Sequence, residues 1–331
     1  MSTWTIPDLL QMSGGYWAPA ALQAGVKLDF FSALAEGELS AAGVAARCGT
    51  EPRATGMLLD ALAALGLLFK GAGGYSLTPI AVTALVRSSP DYIGHIIMHH
   101  HHLMAGWAML PTAVRTGAPV RSNASRVEEE EARESFIMGM FNLASQQAPA
   151  VAAAVDLAGR RRLLDLGGGP GTYAIHFCLR NPQLRATIYD LPTSRVFAEA
   201  TVNRFGLADR VEFAAGDYHR DQVPGGFDAV WLSHVLHAEG EEGCRSLLAK
   251  GAAALEPGGV LLVQEFILND AKDGPVFPAL FSLNMLLGTA AGRSYSEGEI
   301  AGMMAAAGLA GVRRLPADRP NGAGVIAGYK Q

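Results

Sequence analysis

Short apolar runs alternate with longer helical patterns through the second half of the chain. Runs of strand length stand at residues 163–166, 186–189, 211–214, 227–232, 260–266, 312–314 and 325–329. Patterns with a helical period lie at residues 193–205, 242–254 and 296–307. Strands that alternate with helices in this way are typical of a mostly parallel sheet. The pattern therefore predicts an α/β fold for this half of the chain.

The first third of the chain carries helical patterns that end in a short hairpin. These patterns lie at residues 19–25, 26–35 and 51–66, and Ser40 is placed to cap another helix. Two strand-like pieces, residues 67–70 and 75–77, flank a GAGG turn and complete a winged-helix arrangement. A DNA-reading helix needs basic residues, yet Arg53 is the only one within residues 51–66. We therefore interpret this region as a dimerisation module rather than a DNA-binding regulator.

Composition narrows the possible functions. The 331-residue chain is 50% hydrophobic and only 17% charged, which indicates a globular protein with two domains and a large buried or subunit-interface area. Its net charge of -5 argues against a nucleic-acid-binding surface. No apolar span reaches membrane-crossing length and the start lacks a signal peptide's basic segment, so we expect a cytoplasmic protein. The low charged fraction and the apolar helical N-terminal region predict a homodimer. Cys48, Cys178 and Cys244 are too scattered to suggest a disulfide framework or a zinc site.

A histidine-rich helix is predicted at residues 91–110. On such a helix His95, His99 and His102 share one face, which a metal site could use. No nearby Asp, Glu or Cys completes a ligand set, so we predict no metal centre. The histidines could instead line a substrate pocket, lie on the surface or pack internally, and these alternatives stay open. Residues 126–134 are predicted to be the solvated start of the next helix, which continues through Phe141.

A glycine-rich loop joins the strand at residues 163–166 to the helix after it. Its order is Asp165-x-Gly167-x-Gly169-x-Gly171, and glycines at such a turn supply positive φ and let a ligand approach the backbone. The free N–H groups of the following helix favour the negative end of that ligand. Asp190, at the tip of the next strand, is placed to take two ribose hydroxyls. The spacing fits the loop of S-adenosylmethionine (SAM) methyltransferases better than the dinucleotide G-x-G-x-x-G fingerprint.

Several further motifs follow in a fixed order: LLDLGGGPG, YDLP, GDY, WLSHVLHAEGEEGC, ALEPGGVLLVQEFILND and FSLNMLLGTAAGRSYSEGEI. Together with the winged-helix region, they resemble the SAM-dependent O-methyltransferases of the plant caffeate and animal acetylserotonin type over essentially the whole chain. The resemblance implies SAM as the cofactor and S-adenosylhomocysteine as its product, with Asp190 on the ribose and with Asp217 and Tyr218 on the adenine. The implied cofactor-binding residues are Gly167, Gly168, Gly169, Asp190, Leu191, Asp217, Tyr218 and Ser233.

The same resemblance implies the catalytic residues. His237 falls on the family's catalytic histidine, and Glu265 matches a flanking carboxylate that would orient the imidazole. Met285 falls where the family places a methionine of the substrate pocket. Mostly apolar and aromatic residues at the predicted acceptor site suggest a flat, apolar acceptor. The predicted acceptor-binding residues are Trp107, Phe141, Asn284 and Met285.

The motif around the histidine also departs from the family pattern. Ala238 stands where aspartate is usual, Ser233 where plant members have a lysine, and Ser294 where they have a second carboxylate. His234 offers an alternative base, although on a helical turn it would point to a different part of the surface from His237. These changes leave the cofactor assignment intact. Two alternatives stay open. The chain could be a SAM-binding relative that catalyses hydroxylation or decarboxylation, or it could methylate nitrogen or carbon.

The sequence thus predicts a Rossmann-like SAM methyltransferase sheet behind an N-terminal winged-helix dimerisation domain that is all-helical apart from its wing. We expect the dimerisation domain at residues 1–110, a helical linker that contributes to the substrate pocket at 111–150, and the SAM-binding domain at 151–331. The expected reaction moves a methyl group to a hydroxyl of a small aromatic or heteroaromatic acceptor, with His237 removing the proton. The predicted partners are this acceptor and a second copy of the chain, with no nucleic acid and no membrane.

Overall fold

Two compact units make up the chain, which a computed structural model describes over residues 4–316 and 320–331. The first unit comprises the residues up to Met104 together with Glu130–Asn142. The second unit comprises Ala105–Glu129 together with Leu143–Gln331. The segment predicted as a linker, residues 111–150, therefore contributes to both units.

Short helices dominate the chain as far as residue 154. In chain order the elements are α1 (Ile6–Ser13), α2 (Trp17–Lys27), α3 (Phe30–Ala33), α4 (Ala41–Cys48), α5 (Pro52–Ala64), β1 (Leu68–Lys70), β2 (Tyr75–Leu77), α6 (Pro79–Leu85), α7 (Gly94–Ala108), α8 (Leu110–Thr116), α9 (Glu130–Ser145) and α10 (Ala148–Ala154). A 3-10 helix lies at Ala124–Arg126. β1 and β2 pair antiparallel, so the hairpin predicted there is present. In the described ranges no helix is long and apolar enough to cross a membrane.

Side-chain caps fix where several helices of the first unit begin. The Ser40 hydroxyl accepts a hydrogen bond from the Gly43 N–H at 3.1 Å, as its predicted capping role requires. The Glu51 carboxylate caps α5 by accepting from the N–H groups of Arg53 and Ala54. The apolar faces that these caps orient share a core that includes Val26, Phe30, Phe31, Val44, Leu59 and Leu62.

Three predicted helix boundaries are wrong. A helix is expected over residues 26–35, but Asp29 takes a left-handed backbone (φ 59°), which separates α2 from α3. The helix expected over 91–110 begins only at Gly94 and breaks after Ala108. The helical start expected at 126–134 is instead the end of a 3-10 helix followed by extended backbone, and α9 begins at Glu130. Apolar residues continue on both sides of Asp29 and of Ala108, so periodicity alone does not reveal the breaks at these two places.

An eight-stranded sheet organises the second unit. Its elements are β3 (Arg162–Leu166), α11 (Thr172–Arg180), β4 (Arg185–Asp190), α12 (Arg195–Arg204), β5 (Val211–Ala215), β6 (Phe227–Ser233), α13 (Glu241–Ala254), β7 (Leu255–Leu268), α14 (Val276–Gly288), β8 (Tyr295–Ser296), α15 (Glu297–Ala306), β9 (Leu309–Arg314) and β10 (Ala323–Lys330). Short 3-10 helices lie at Pro192–Ser194, Leu236–Ala238 and Pro320–Gly322. The strand order is β5-β4-β3-β6-β7-β10-β9, with β8 paired to β7. Strands β3 to β7 run parallel and β10 is antiparallel to its neighbours, so the predicted mostly parallel sheet is confirmed.

Side chains that alternate along the central strands fill a core on each face of the sheet. Leu163 and Trp231 face one core, and Leu164 faces the other. The Trp231 indole is fully buried, with its ring centroid 5.2 Å from that of Tyr173 and 4.9 Å from that of Phe177, both on α11. Aromatic pairs of this kind add about 0.5–1.5 kcal/mol each beyond the buried area, so α11 is firmly held behind β3 and β6.

The carboxyl ends of four parallel strands meet at one edge of the sheet. The glycine loop follows β3, Asp190 ends β4, Ser233 ends β6, and Glu265 lies near the end of β7. Ligands of such sheets bind outside this edge. The helix α14 leads away from it and has no counterpart in the sequence prediction, because it is apolar around most of its circumference and shows little helical period.

Candidate active site

The glycine loop after β3 has the left-handed backbone that glycine adopts freely. Gly167, Gly169 and Gly171 have φ values of 75°, 52° and 76°. The Gly167 N–H donates to the Tyr189 carbonyl at 2.8 Å, and a Cβ on Gly167 would lie 2.8 Å from a methyl of Val235. At Gly169 a Cβ would meet no atom of the described residues within 4 Å. The loop therefore packs on one side and leaves its backbone open on the other, as close approach by a ligand requires.

A buried carboxyl beneath this loop explains the glycine at position 168. The Asp165 side chain is 2% exposed and accepts a hydrogen bond from the Ala174 N–H at 3.3 Å. Burial raises the pKa of Asp165 to about 7 despite that hydrogen bond. A Cβ on Gly168 would come within 2.6 Å of the Asp165 Cγ, so a larger residue would displace the loop or the carboxyl.

Asp190 ties the tip of β4 to the glycine loop. Its Oδ2 accepts from the Gly169 N–H at 2.8 Å, and its Oδ1 accepts from the Leu191 N–H at 2.6 Å and the Ser194 hydroxyl at 2.9 Å. Burial raises the pKa of Asp190 even though these three donors favour the ionised form. The structure thus brings the predicted ribose residue, its neighbour Leu191 and the loop together.

An ion pair that the sequence does not reveal lies just after β5. Arg126 Nη2 is 3.0 Å from Asp217 Oδ2 and 3.2 Å from Oδ1, and the His219 N–H donates to Oδ1 at 3.0 Å. Burial acts to raise the pKa of Asp217, but the His219 N–H and the Arg126 guanidinium together hold it below its ordinary value. Tyr218, the other predicted adenine residue, lies with its hydroxyl 3.4 Å from Glu239 Oε1. Arg126 is exposed, as predicted, but it ends a 3-10 helix instead of starting an α-helix, and its guanidinium pairs with this carboxylate.

Ser233 ends β6 beside the loop. Its hydroxyl oxygen is buried and has no hydrogen-bond partner among the residues that the structure describes. A buried hydroxyl without a partner is costly, so a ligand that bonds to it would be favoured. The open side of the loop, the Asp190 carboxylate at its rim and this hydroxyl fit a ligand that carries ribose hydroxyls and polar groups. SAM, the cofactor that the sequence implies, has these groups.

His237 and Glu265 form a hydrogen-bonded pair at the ends of β6 and β7. His237 Nδ1 is 2.9 Å from Glu265 Oε2, and the His237 backbone N–H donates to Oε1 at 3.2 Å. The carboxylate is 3% exposed and the imidazole 13%. Burial acts to raise the pKa of Glu265, but the imidazoles of His237 and His234 hold it well below its ordinary value. The two residues predicted as catalytic are therefore in direct contact.

His234 lies closer to this pair than a helical turn would place it. Its backbone is left-handed (φ 55°), and its Nδ1 is 3.6 Å from Glu265 Oε2. The expectation that His234 points to a different part of the surface is wrong, because both imidazoles face one carboxylate. A separation of 3.6 Å is too long for a hydrogen bond. One ligand atom each of His234, His237 and Glu265 lie within 4.8 Å of one another, so these three could hold a metal ion.

An aromatic wall, formed by Phe266, Phe277 and Phe281, stands beside the imidazoles. The Phe281 ring meets the His237 ring edge-on, with centroids 4.8 Å apart and an 80° interplanar angle. The Phe266 centroid lies 4.9 Å from those of Phe277 and Phe281. Sequence reasoning missed this wall, although the spacing of Phe277 and Phe281, four residues apart, is a signal that α14 would present both rings on one side.

The predicted acceptor-binding residues are divided between the two units. Asn284 and Met285 are buried on α14, and Trp107 is partly exposed near the end of α7, all within the second unit. Phe141 is buried on α9 within the first unit. Arg121, which the sequence did not single out, donates to Asn284.

The histidines of α7 make contacts within the first unit. The His95 ring packs against a tyrosine ring with centroids 5.4 Å apart, and buried His99 lies 5.3 Å from the ring of Phe136. His101 Nε2 is 3.1 Å from Lys27 Nζ. These contacts favour a packing role among the alternatives that the sequence leaves open. Within the described parts of the chain, the histidine block is not among the groups that bring three ligand atoms to metal-binding distance.

Comparisons with known proteins identify relatives of the whole chain. A family model described as an O-methyltransferase domain matches residues 115–310, and a model of the O-methyltransferase dimerisation domain matches residues 10–87. The chain is 38% identical over 330 residues to the 3-hydroxy-5-methyl-1-naphthoate 3-O-methyltransferase of Streptomyces sahachiroi, with 98% of this chain and 95% of the relative covered.

Solved structures show the same similarity. An O-methyltransferase family protein from Burkholderia thailandensis matches with a TM-score of 0.89 at 31% identity, covering 100% of this chain and 99% of that one. Human N-acetylserotonin methyltransferase in complex with SAM matches with a TM-score of 0.86 at 26% identity, with the same coverage. The similarity therefore extends over both units.

Proposed function

This chain belongs to the O-methyltransferase family, and we propose that it methylates a hydroxyl of a small aromatic or heteroaromatic acceptor with His237 as the general base. SAM is the methyl donor. One observation carries the proposal: His237 Nδ1 bonds to the buried Glu265 carboxylate at the sheet edge where the glycine loop lies. A hydroxyl acceptor must lose its proton during transfer, and this pair has the arrangement needed to take it.

SAM supplies a methyl group that is already activated on a sulfonium centre. The protein has to align an acceptor oxygen with it, exclude water and remove a proton. The open loop backbone and the Asp190 carboxylate support a binding site for the ribose, with Leu191 beside it. The residues proposed to hold SAM are Gly167, Gly168, Gly169, Asp190, Leu191, Asp217, Tyr218 and Ser233.

His237 is proposed to take the acceptor proton at Nε2. A carboxylate only accepts hydrogen bonds, so its contact at 2.9 Å assigns the proton of the neutral imidazole to Nδ1. The lone pair of Nε2 is then available to the acceptor hydroxyl. Once the ring is protonated, the Glu265 carboxylate stabilises the positive charge.

The acceptor ring is proposed to lie beside the aromatic wall and against Trp107, Asn284 and Met285 of the second unit. Aromatic and apolar side chains suit a flat ring, which they remove from water. The relative from Streptomyces sahachiroi methylates a hydroxynaphthoate at oxygen, and the human relative is named for N-acetylserotonin. The role of Phe141 in acceptor binding stays a prediction from the sequence.

Incubation with methyl-labelled SAM tests the function directly. The acceptor panel comprises phenols, hydroxynaphthalenes, hydroxylated heteroaromatics and matched amines, and mass spectrometry with NMR locates the label. The proposal expects label on a hydroxyl oxygen and one S-adenosylhomocysteine per product. Label on nitrogen or carbon, or an acceptor hydroxylated or decarboxylated without methylation, would contradict it.

Asp190→Ala is expected to weaken SAM binding by at least about tenfold. Burying ribose hydroxyls without partners costs about 1–3 kcal/mol each, and about 1.4 kcal/mol corresponds to a factor of ten in affinity. Isothermal titration calorimetry with SAM and with S-adenosylhomocysteine measures the change.

Ser194→Ala is the matched control for this prediction. It removes one hydrogen bond to the same carboxylate, at 2.9 Å, but keeps the carboxylate in place. We expect its SAM affinity to stay within about threefold of wild type. Thermal unfolding without ligand verifies that both variants fold. A folded Asp190→Ala variant with unchanged SAM affinity would remove Asp190 from the ribose site.

An exposed apolar surface at the start of the chain supports a homodimer. None of the eight residues of α1 is buried, and Ile6, Leu10 and Trp17 are 75%, 68% and 70% exposed. So short a helix is not stable alone in water, and apolar surfaces of this kind mark interaction sites. Residues 10–87 match the dimerisation domain. We therefore propose that residues 1–110 form the dimerisation domain and that a second copy covers this surface.

The wild-type protein should have the mass of a homodimer by light scattering at micromolar concentration. The double variant Ile6→Asp/Leu10→Asp should shift that mass toward the monomer, because the interface would have to bury two carboxylates. Val196→Asp on α12 is the control, since Val196 is also apolar and 66% exposed but lies in the second unit. A wild-type mass equal to one chain would contradict the proposal.

A further inference from the structure

His234 has a buried ring nitrogen that makes no hydrogen bond. Its Nδ1 has no hydrogen-bond partner among the residues that the structure describes, and it faces Glu265 Oε2 at 3.6 Å. The left-handed backbone of His234, with a φ of 55°, is costly for a residue other than glycine. Buried polar atoms are nearly always bonded, so this nitrogen indicates a place for a ligand.

The Glu265 carboxylate that His234 faces is a buried charge. It is 3% exposed, and within the described ranges it forms ion pairs only with the imidazoles of His234 and His237, not with any Lys or Arg. The backbone N–H groups of His237 and Phe266 donate to its two oxygens, each at 3.2 Å, and hold it in place. Buried carboxylates usually pair with a positive charge or coordinate a metal ion.

The three side chains have the separations of ligands around one metal ion. Zinc binds imidazole nitrogen at about 2.0–2.1 Å and carboxylate oxygen at about 2.0–2.2 Å. Two such ligands lie about 2.9 Å apart when their bonds to the ion meet at about 90°, and about 3.6 Å apart when the angle is about 120°. Glu265 Oε2 is 2.9 Å from His237 Nδ1 and 3.6 Å from His234 Nδ1. Both separations therefore suit zinc.

The chemistry of these donors favours a divalent transition metal. Imidazole nitrogens suit Zn²⁺ and its neighbours in the first transition series, whereas Mg²⁺ and Ca²⁺ prefer oxygen ligands. Three protein ligands leave the fourth position of tetrahedral zinc for water. The imidazoles of His234 and His237 are 20% and 13% exposed, so an ion can reach them from solvent.

We propose that His234, His237 and Glu265 bind a zinc ion and that this ion reversibly inhibits methyl transfer. The inhibition rests on the proposed role of His237 as the base, whereas the metal site does not. Without zinc, the proton of the neutral His237 ring is on Nδ1 and the lone pair of Nε2 takes the acceptor proton. Zinc on Nδ1 moves the ring proton to Nε2, which then cannot accept another.

Co²⁺ is the probe for the site, because it takes the same ligands as zinc and its visible absorption depends on the number of those ligands. After a chelator has removed bound metals, the wild-type protein should bind Co²⁺ with the absorption of a four-coordinate site. Zn²⁺ should remove that absorption by displacing Co²⁺. Mg²⁺ in about a hundredfold excess should not.

His234→Asn is the main variant, because asparagine readily adopts a left-handed backbone and has no imidazole. We expect it to lower zinc affinity by at least about tenfold in calorimetry, and Glu265→Gln should do the same. His219→Ala is the matched control. His219 also faces a glutamate, Glu239, at 3.2 Å, but it belongs to no group of three metal ligands in the described parts of the chain.

The zinc affinity of His219→Ala should stay within about threefold of wild type, since it leaves the three ligands unchanged. Thermal unfolding without metal verifies that all three variants fold. Equal zinc affinity in wild type, His234→Asn and Glu265→Gln would overturn the metal site.

Single-turnover methyl transfer at increasing Zn²⁺ tests the inhibition. The wild-type rate should fall as the site fills, and a chelator should restore it. His234→Asn, measured against its own rate without metal, should need at least about tenfold more zinc for half inhibition. A rate that rises, or stays constant, while zinc fills this site would overturn the inhibition.

Metal binding without an acceptor separates this inference from the proposed function. If no acceptor is methylated but Co²⁺ and Zn²⁺ bind with the expected dependence on His234 and Glu265, the proposed function fails and the metal site stands. If a hydroxyl is methylated but the wild-type protein binds neither ion, the proposed function stands and the metal site is wrong.

Discussion

His237→Ala is expected to lower the rate of methyl transfer by about 10²- to 10⁴-fold while leaving SAM affinity nearly unchanged. Imidazole is the side chain whose unperturbed pKa lies nearest neutrality, so it can take a proton from the acceptor. The Glu265 carboxylate, whose Oε2 is 2.9 Å from His237 Nδ1, then stabilises the protonated ring. Alanine leaves the acceptor hydroxyl without a base. Single-turnover rapid-quench kinetics with saturating SAM, on a phenol with a pKa near 10, isolate this step, and calorimetry measures SAM affinity.

His234→Ala is the comparison that the chain itself supplies. Both imidazoles face Glu265, but His234 Nδ1 is 3.6 Å from the carboxylate, beyond hydrogen-bonding distance, whereas His237 Nδ1 is at 2.9 Å. His234→Ala should therefore lower the rate much less than His237→Ala. If the effects of the two substitutions were reversed on the same phenol, the base would be His234.

Glu265→Gln is expected to lower the transfer rate by about 10- to 10³-fold with SAM affinity again unchanged. The amide keeps the shape of the side chain but has no charge to stabilise the protonated imidazole. Its NH2 group can also donate to His237 Nδ1, which would move the ring proton to Nε2 and block the base. Single-turnover rates and SAM calorimetry separate this loss from a loss of binding.

Glu297→Gln makes the same chemical change at a carboxylate that pairs with Arg314 at 3.2 Å, and it should leave the rate within about twofold of wild type.

The pH dependence of stability gives a second readout of the Glu265 charge. The depressed pKa of Glu265 means that its ionised form stabilises the fold above the pKa of an unfolded glutamate, about 4.3, and that this contribution is lost as the pH falls through the lower folded-state value. Full activity of a folded Glu265→Gln variant would exclude the supporting role of the carboxylate.

The parts of the fold that local sequence determines were predictable. Strands β3 and β4 are runs of mostly apolar residues that end at Gly167 and Asp190, so the glycine loop and the strand tip could be placed from the sequence. The hairpin and the cap at Ser40 follow from turn and capping chemistry within a few residues. The contact of His237 with Glu265 was reached through the resemblance to a family, since 28 residues separate the two in the chain.

The features that the sequence did not reveal depend on contacts between distant segments. Asp29 and His234 have a left-handed backbone although neither is a glycine, so the sequence gives no sign of it. One helix break and the turn of His234 toward Glu265 were therefore missed. Arg121 and Arg126 have the sequence surroundings of surface residues in a polar loop. Arg121 nevertheless donates to Asn284, which is 163 positions away, and Arg126 donates to Asp217, which is 91 positions away. The helix α14 is apolar on most sides, which removes the period by which a helix is recognised.

Acceptor acidity offers the most direct test of whether His237 removes the proton. A phenol that is already ionised at the assay pH needs no base, so single-turnover rates of wild type and His237→Ala should be compared across phenols with pKa values from about 6 to about 10 at about pH 7.5. We expect a loss of about 10²- to 10⁴-fold for the least acidic phenol that shrinks toward onefold as the pKa falls below the assay pH. A loss of the same size across the whole series would mean that His237 does not act as the base.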